Sequence, residues 1–330
     1  MKNLFFLVLV FSCLACKEKE LIKVAFLFPH FNSDRYLKER DYFAEKVKES
    51  GGEAIIVGAN YDQDLQIKQT KDFLDQGIKV LVLGAVNANL AAIIVREAHE
   101  KHAVVIAYDR LIKNSDLDLY LSFQYQVVGK EMVDYITKLK PAGEYLVIGG
   151  DKSDFNAIQV NKGQMNALEA YIKNGKIKIM YNIFIEEWNP ENARVETDYY
   201  LNLCDRLPVA IICSSDRLAS GVIKALEKHK MDSKVLVTGM DADILACRHM
   251  LEGKQTMSVY KPFKKLAYLA AENAMKMAKG QNITGINDKI WNGKIEVPSI
   301  LIEPIAVDIN NLKSTVIADG LISENEIYSK

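Results

Sequence analysis

The sequence predicts an α/β protein with two lobes, each built on a doubly wound parallel sheet. Short apolar runs alternate with segments whose apolar residues recur at helical spacing. The pattern begins near Leu21 and restarts near Glu144, which gives two units of roughly 100–130 residues. Near-continuous apolar strands of this kind are typical of parallel sheets that helices cover on both faces. The length of 330 residues also fits about two domains.

The predicted strands of the first unit are LIKVAFLF, EAIIVGAN, IKVLVLGAV and AVVIAYDR. Each is followed by a helical stretch, such as the one marked by Tyr36, Tyr42, Phe43 and Val47. The second unit has EYLVIGG, KIKIMYNIFI, PVAIICSS and KVLVTGM. Its predicted helices cover 161–172, 191–203, 220–229, 244–251 and 263–278. The units lack a Pro/Gly/Ser-rich linker, so we expect short extended crossings between them, one near 120–126.

The first sixteen residues have the pattern of an export signal. A short basic start precedes an apolar run over 4–14, which is too short for a bilayer-spanning helix of about 20 residues. Leu14-Ala15-Cys16 followed by charged residues resembles a bacterial lipobox. We therefore expect a signal peptide at 1–15, a lipid on Cys16 and a tether at 16–20. A second frame that ends at Cys13 stays open, and an ordinary strand is disfavoured because nothing downstream would pair with it.

Composition excludes several classes of function. Lys and Arg number 42 against 43 Asp and Glu, so the chain lacks the basic surplus typical of nucleic-acid or anionic-membrane binding. Five cysteines are too few for a disulfide scaffold. Cys204, Cys213 and Cys247 lie in apolar runs, so we expect free thiols, although a Cys204–Cys213 bridge is also compatible with the sequence.

Common catalytic and cofactor motifs are absent from the sequence. It has no GxxxxGK(S/T), GxGxxG, GxSxG or HExxH. His99 and His102 are one helical turn apart, but charged neighbours such as Glu97 and Glu100 indicate a solvated helix face. We therefore expect no cofactor and no metal, and the enzyme hypothesis loses weight.

Polar and aromatic side chains follow most of the predicted strands. Ligands of doubly wound sheets bind outside the carboxyl ends of the strands, so these positions are candidate binding residues. Asp or Ser there can also be a helix N-cap, which is the competing interpretation for Asp34 and Asp216. The candidates are Arg35, Tyr36, Asp109, Arg110, Asp154, Asn156, Trp188, Ser215, Asp241 and Lys261.

This set of side chains favours a neutral polyol as ligand. A sugar hydroxyl offers one donor and two acceptors, so carboxylates can accept from it while Arg, Lys and Asn donate to it. Tyr36 and Trp188 could cover the C–H-rich faces of a sugar ring. A phosphate site would instead favour glycines and a helix N-terminus.

Several stretches resemble a known family over nearly the whole chain after Leu21. They include DRYLKERDYF, VIAYDRLI, EEWNPENA, VTGMDAD and KQTMSVYKP. In this order they resemble the periplasmic D-xylose-binding proteins of bacterial ABC importers. These belong to the ribose/galactose-type substrate-binding superfamily and have the type I periplasmic binding protein fold. The resemblance implies sugar-binding roles for all ten candidates. At Ser215 the family has Asn, which leaves the identity of the pentose or hexose open.

The resemblance also implies a three-crossing hinge that closes the lobes on the sugar. The expected first lobe is 21–123 plus 262–289, and the second is 124–261 plus 290–330. A monomeric, extracytoplasmic lipoprotein would deliver D-xylose, or a related monosaccharide, to an ABC permease. The alternative is a sensing subunit that presents the closed form to a membrane sensor kinase. A DNA-bound repressor is disfavoured because no helix-turn-helix precedes Leu21.

Overall fold

The fold was analysed in a computed structural model that describes residues 21–32, 34–203 and 207–328. The expected signal peptide, the expected lipidation site at Cys16 and the thiol of Cys204 lie outside these ranges. Within them, Cys213 and Cys247 are buried free thiols, as expected. No helix in the described ranges combines the length and the apolar character that crossing a membrane requires.

The first lobe is a seven-stranded sheet in the order β11-β12-β5-β4-β3-β1-β2. All neighbours are parallel except the β11–β12 pair at one edge. The helices α1 and α9 cover one face, while α2 and α3 cover the other. Its elements are β1 (Ile22–Phe28), α1 (Asp34–Glu49), β2 (Gly52–Gly58), α2 (Gln63–Asp75), β3 (Val80–Leu83), α3 (Ala92–Glu100), β4 (Val104–Tyr108), β5 (Leu119–Phe123), α9 (Phe263–Ala278), β11 (Asp288–Trp291) and β12 (Glu296–Ile302).

The second lobe is a six-stranded sheet in the order β13-β10-β9-β8-β6-β7, with only the β10–β13 pair antiparallel. Helices α4 and α5 pack together on one face, and α6 and α7 pack on the other. Its elements are α4 (Tyr125–Leu139), β6 (Gly143–Gly149), α5 (Phe155–Lys173), β7 (Ile177–Phe184), a 3-10 turn (Glu186–Trp188), α6 (Pro190–Leu203), β8 (Ala210–Cys213), α7 (Asp216–Lys228), β9 (Leu236–Met240), α8 (Ile244–Leu251), β10 (Met257–Tyr260), β13 (Ile305–Val307), a π turn (Lys313–Ile317) and α10 (Glu324–Tyr328). The two doubly wound lobes match the fold class that the sequence predicts.

Three short crossings join the lobes. They run from β5 to α4, from β10 to α9 and from β12 to β13. The third differs from the sequence expectation, which returned the chain to the second lobe after residue 289. Residues Ser299–Ile302 instead pair in parallel with Tyr120–Phe123, so the first lobe extends to Ile302. Because β5 and β12 are parallel neighbours, the first and third crossings leave side by side from the carboxyl ends of these strands.

Side-chain caps determine where helices α5 and α7 of the second lobe begin. Asp154 accepts a hydrogen bond from the N–H of Asn156 at 2.8 Å and starts α5. Ser215 accepts one from the N–H of Leu218 at 3.2 Å and starts α7. Such caps satisfy amides that have no partner within the helix. Helices α5 and α7 therefore begin six and three residues after the last residues of β6 and β8.

Candidate functional site

Asp109 lies at the centre of the candidate site, directly after β4. Its φ of 63° is left-handed, and its backbone carbonyl accepts hydrogen bonds from Tyr120 Oη at 3.0 Å and Ser122 Oγ at 2.9 Å. Asn156 Nδ2, from the second lobe, donates to the same carbonyl at 3.2 Å. The two lobes are therefore in direct contact at this turn.

The carboxylate of Asp109 is buried and strongly held. Arg35 Nη2 lies 3.0 Å from Oδ2, and the Tyr125 hydroxyl donates to Oδ1 at 2.6 Å. Burial alone would raise the pKa of this carboxyl. The charges of Arg35 and Lys261, together with the hydrogen bonds, outweigh burial and hold the pKa well below its usual range. Asp109 is therefore a fixed negative charge at physiological pH.

The guanidinium of Arg35 contacts two carboxylates and lies over an aromatic ring. Its Nε donates to Glu39 Oε1 at 3.1 Å, one helical turn along α1. Its central carbon lies 4.0 Å from the centroid of the Phe263 ring. Glu39 is fully buried, and burial raises its pKa to about 7 despite the attraction of Arg35. The sequence reading missed Glu39 and Phe263, although the i,i+4 spacing of Arg35 and Glu39 was a usable signal.

A second ion pair joins the second lobe to a crossing. Lys261, in the crossing between β10 and α9, lies with Nζ 2.9 Å from Asp241 Oδ1 and 3.4 Å from the Tyr125 hydroxyl. Lys261 is 3% exposed, and its ammonium also lies about 5 Å from the Phe123 and Tyr125 ring centroids. Asp241 follows β9 and keeps a partly exposed side chain. Lys261 thus connects the acidic groups of the two lobes through Tyr125.

Asp154, Arg110 and Trp188 form the other side of the site. Burial raises the pKa of Asp154, and the nearby Arg110 charge and a hydrogen bond from Trp188 oppose that rise. Arg110 Nη1 also donates to Ala85 O at 3.4 Å. Glu187 and Trp188 both have a left-handed backbone, with φ of 54° and 53°. The indole of Trp188 lies over Gly150, where a Cβ would come within 2.3 Å of the ring.

Tyr36 and Ser215 are both buried. Tyr36 is 8% exposed and packs against the rings of Phe28 and His30, with its pKa raised to about 12 mainly by burial. Ser215 is 4% exposed, and its Oγ caps α7. Its hydroxyl proton remains able to donate, because the cap uses only a lone pair.

The structure brings nine of the ten candidates into one region, whereas Ser215 serves as the cap of α7. Arg35 contacts Asp109, Asn156 contacts Asp109, Trp188 contacts Asp154, and Lys261 contacts Asp241. Electrostatic coupling also links Arg35 to Asp241 and Arg110 to Asp154 across the lobes. Tyr125 and His30 belong to the same region and were missed by the sequence reading. No periodicity or strand-end rule points to Tyr125, which lies at the start of a helix after a crossing. No group of three or more His, Cys, Asp or Glu within the described ranges is arranged to hold a metal ion.

Two α/β lobes, three crossings and a polar region shared between the lobes define a two-lobed ligand-binding protein. The family model described as "Periplasmic binding protein domain" matches residues 24–282. The chain belongs to the periplasmic binding protein family, and its members are extracytoplasmic binding proteins.

Similar proteins agree with this assignment. The chain is 36% identical over 307 residues to the D-xylose-binding periplasmic protein of Haemophilus influenzae, covering 93% of this chain and 92% of that one. It is 34% identical over 319 residues to the protein of the same name from Escherichia coli, covering 97% and 96%. An ABC transporter solute binding protein from Clostridium phytofermentans, solved with bound β-D-glucose, superposes with a TM-score of 0.83 at 28% identity, covering 92% and 99%. These relatives are substrate-binding proteins of sugar transport, which confirms the expectation of a binding protein rather than an enzyme.

Proposed function

We propose that this protein captures D-xylose, or a closely related monosaccharide, between its lobes and delivers it to an ABC permease. The observation that carries the proposal is that Tyr125 joins Asp109, with its partners Arg35 and Asn156, to the Asp241–Lys261 pair at the lobe junction. Identity of 34–36% to two D-xylose-binding periplasmic proteins supports the choice of sugar.

The chemistry of the site suits an uncharged polyol. Carboxylates of Asp109, Asp154 and Asp241 would accept from sugar hydroxyls, and Arg110 and Asn156 would donate. The remaining proposed contacts are Arg35, Tyr36, Trp188, Ser215 and Lys261. Positive and negative groups already neutralise one another in pairs, so a neutral ligand leaves no buried charge without a partner. A charged ligand would leave one.

Lobe closure supplies the mechanism in this proposal. The contact of Asn156 Nδ2 with Asp109 O spans the lobes, so opening the lobes would break it. Closure would remove the sugar hydroxyls from water and make each charge-assisted hydrogen bond stronger. The closed form is then the state that the permease recognises.

The ligand is tested by a thermal-shift panel of xylose, arabinose, ribose and glucose, followed by calorimetry. We expect one xylose per chain, and at least tenfold weaker binding for Trp188→Ala. The control is Asp118→Asn in the first lobe, because the partners of that carboxylate among the described residues are Val105 N and His99. It should leave affinity unchanged. Wild-type protein that ignores all four sugars would refute the proposal.

We also propose a lipid on Cys16 as the membrane anchor of a monomeric protein. The expected result is an acylated N-terminal peptide by mass spectrometry and a membrane-fraction protein. Cys16→Ser should release the protein while leaving sugar affinity intact. Pull-down with the closed, xylose-loaded protein should recover an ABC permease; recovery of a sensor kinase instead would replace the transport role with sensing.

A further inference from the structure

The turn that follows β9 has an unusual backbone. Asp241 has φ of 103° and Ala242 has φ of 52°, and neither is glycine. Such conformations are costly and persist only where the surrounding structure holds them. Because the turn carries Asp241, the groups that hold the turn also determine where its carboxylate points.

Three consecutive backbone N–H groups of this turn are bound. That of Asp241 donates to the backbone of β10 at 2.9 Å. That of Ala242 donates to Ser258 Oγ at 3.0 Å, and that of Asp243 donates to Asp216 Oδ2 at 3.0 Å. Ser258 Oγ itself donates to Asp216 Oδ1 at 2.9 Å. The Asp216 carboxylate therefore holds two of the three amides, one directly and one through a hydroxyl.

The position of Asp216 is built into the second lobe. The residue is 3% exposed, and Gln255 Nε2 donates to its Oδ1 at 2.8 Å. A Cβ at Gly239 would lie 1.8 Å from that same oxygen, so β9 has glycine where the carboxylate needs room. The helix itself is capped by Ser215, so Asp216 is not required as a cap. Its carboxylate is directed instead at the turn.

We propose that Asp216 is a positioning residue for ligand binding, which acts with Ser258 by fixing the Asp241 turn. The held turn keeps the Asp241 carboxylate beside Lys261. This inference rests on the proposed function, because it requires Asp241 to contact the sugar. Asp216 makes no contact with the ligand in this scheme.

A double-mutant cycle separates positioning from plain structural support. Ser258→Ala and Asp241→Asn are made singly and together, and xylose Kd is measured by calorimetry alongside urea unfolding. Ser258→Ala should weaken binding about fivefold in the wild-type background and less than twofold in the Asp241→Asn background. Equal losses in both backgrounds would overturn the inference.

Asp216→Ala should act in the same way with a larger loss, about thirtyfold, that again depends on Asp241. If this variant fails to fold, the Ser258→Ala cycle still decides the question. The control is Asp198→Asn, whose carboxylate binds Lys228 and His229 at the far end of α7. It should lower stability without changing Kd. If the wild-type protein binds none of the four sugars, the proposed function is refuted. If the losses of affinity in the single variants add up in the double variant, this inference alone is refuted.

Discussion

Asp109 in the first lobe and Asp241 in the second use the same backbone device. Each follows a strand, each has a positive φ, and each donates its N–H to the backbone of a neighbouring strand, at 2.8 Å and 2.9 Å. Their carboxylates differ. That of Asp109 is 8% exposed and is bound by a guanidinium and a phenol, whereas that of Asp241 is 34% exposed and pairs with one ammonium. The half-site around Asp109 is therefore preformed by groups from α1 of the first lobe and α4 of the second, while the half-site around Asp241 is more accessible.

Asp109→Asn tests the preformed half-site and should have the largest effect. Removing this charge takes away one of the two carboxylates that Arg35 contacts and a nearby charge that attracts Lys261, so we expect at least 100-fold weaker xylose binding, or about 3 kcal/mol. Calorimetry measures the loss, with Asp118→Asn as the control. A loss under tenfold would contradict the idea that this group dominates.

Glu39 should make stability depend on pH. Its folded pKa of about 7 lies above the usual 4.5, so the folded state binds the proton more tightly than the unfolded chain does. The resulting stability is fully present below about pH 4.5 and is lost as pH rises through about 7, amounting to about 3 kcal/mol. Urea unfolding from pH 4.5 to 8 measures it. Glu39→Gln should flatten that part of the curve, and an unchanged slope would assign the dependence to other groups.

Asp241→Asn tests the accessible half-site. Its carboxylate has one charged partner and more solvent, so we expect about tenfold weaker binding, or about 1.4 kcal/mol. Calorimetry beside Asp109→Asn gives the comparison directly. Equal losses at the two positions would break the distinction between the half-sites.

Tyr125→Phe should have the smallest effect on affinity. It removes one hydrogen bond to Asp109 and the contact with Lys261 but leaves both charges in place. About threefold weaker binding is expected, or about 0.7 kcal/mol, measured by calorimetry. A much larger loss would show that the phenol, rather than the ion pairs, couples the half-sites.

Most of the fold follows from local patterns in the sequence. Helices α8 and α9 begin and end where apolar spacing predicts. Helix α5 begins at Phe155 rather than residue 161, and α7 at Asp216 rather than residue 220, because the Asp154 and Ser215 caps start them earlier. Apolar spacing by itself does not show which strand-end Asp or Ser is the cap. The placement of β12 beside β5 depends on long-range pairing, which periodicity cannot supply.

The candidate site was predictable where strand ends define it. The rule for parallel sheets locates Asp109, Asp154 and Asp241 without a structure. It gives no indication of Glu39 or Tyr125, because these lie within or at the start of helices and reach the site only through packing. Ser215 shows a different limit, since the N-cap rule pointed to the neighbouring Asp216, whereas the Ser215 hydroxyl caps the helix.

The glycine under the indole of Trp188 has a consequence for ligand size. A hydrogen atom at Gly150 lets the ring settle against the backbone, and any larger side chain there would drive the ring outward. In the proposed sugar site, Gly150→Ala would therefore push the Trp188 ring toward the ligand and reduce the space available to it.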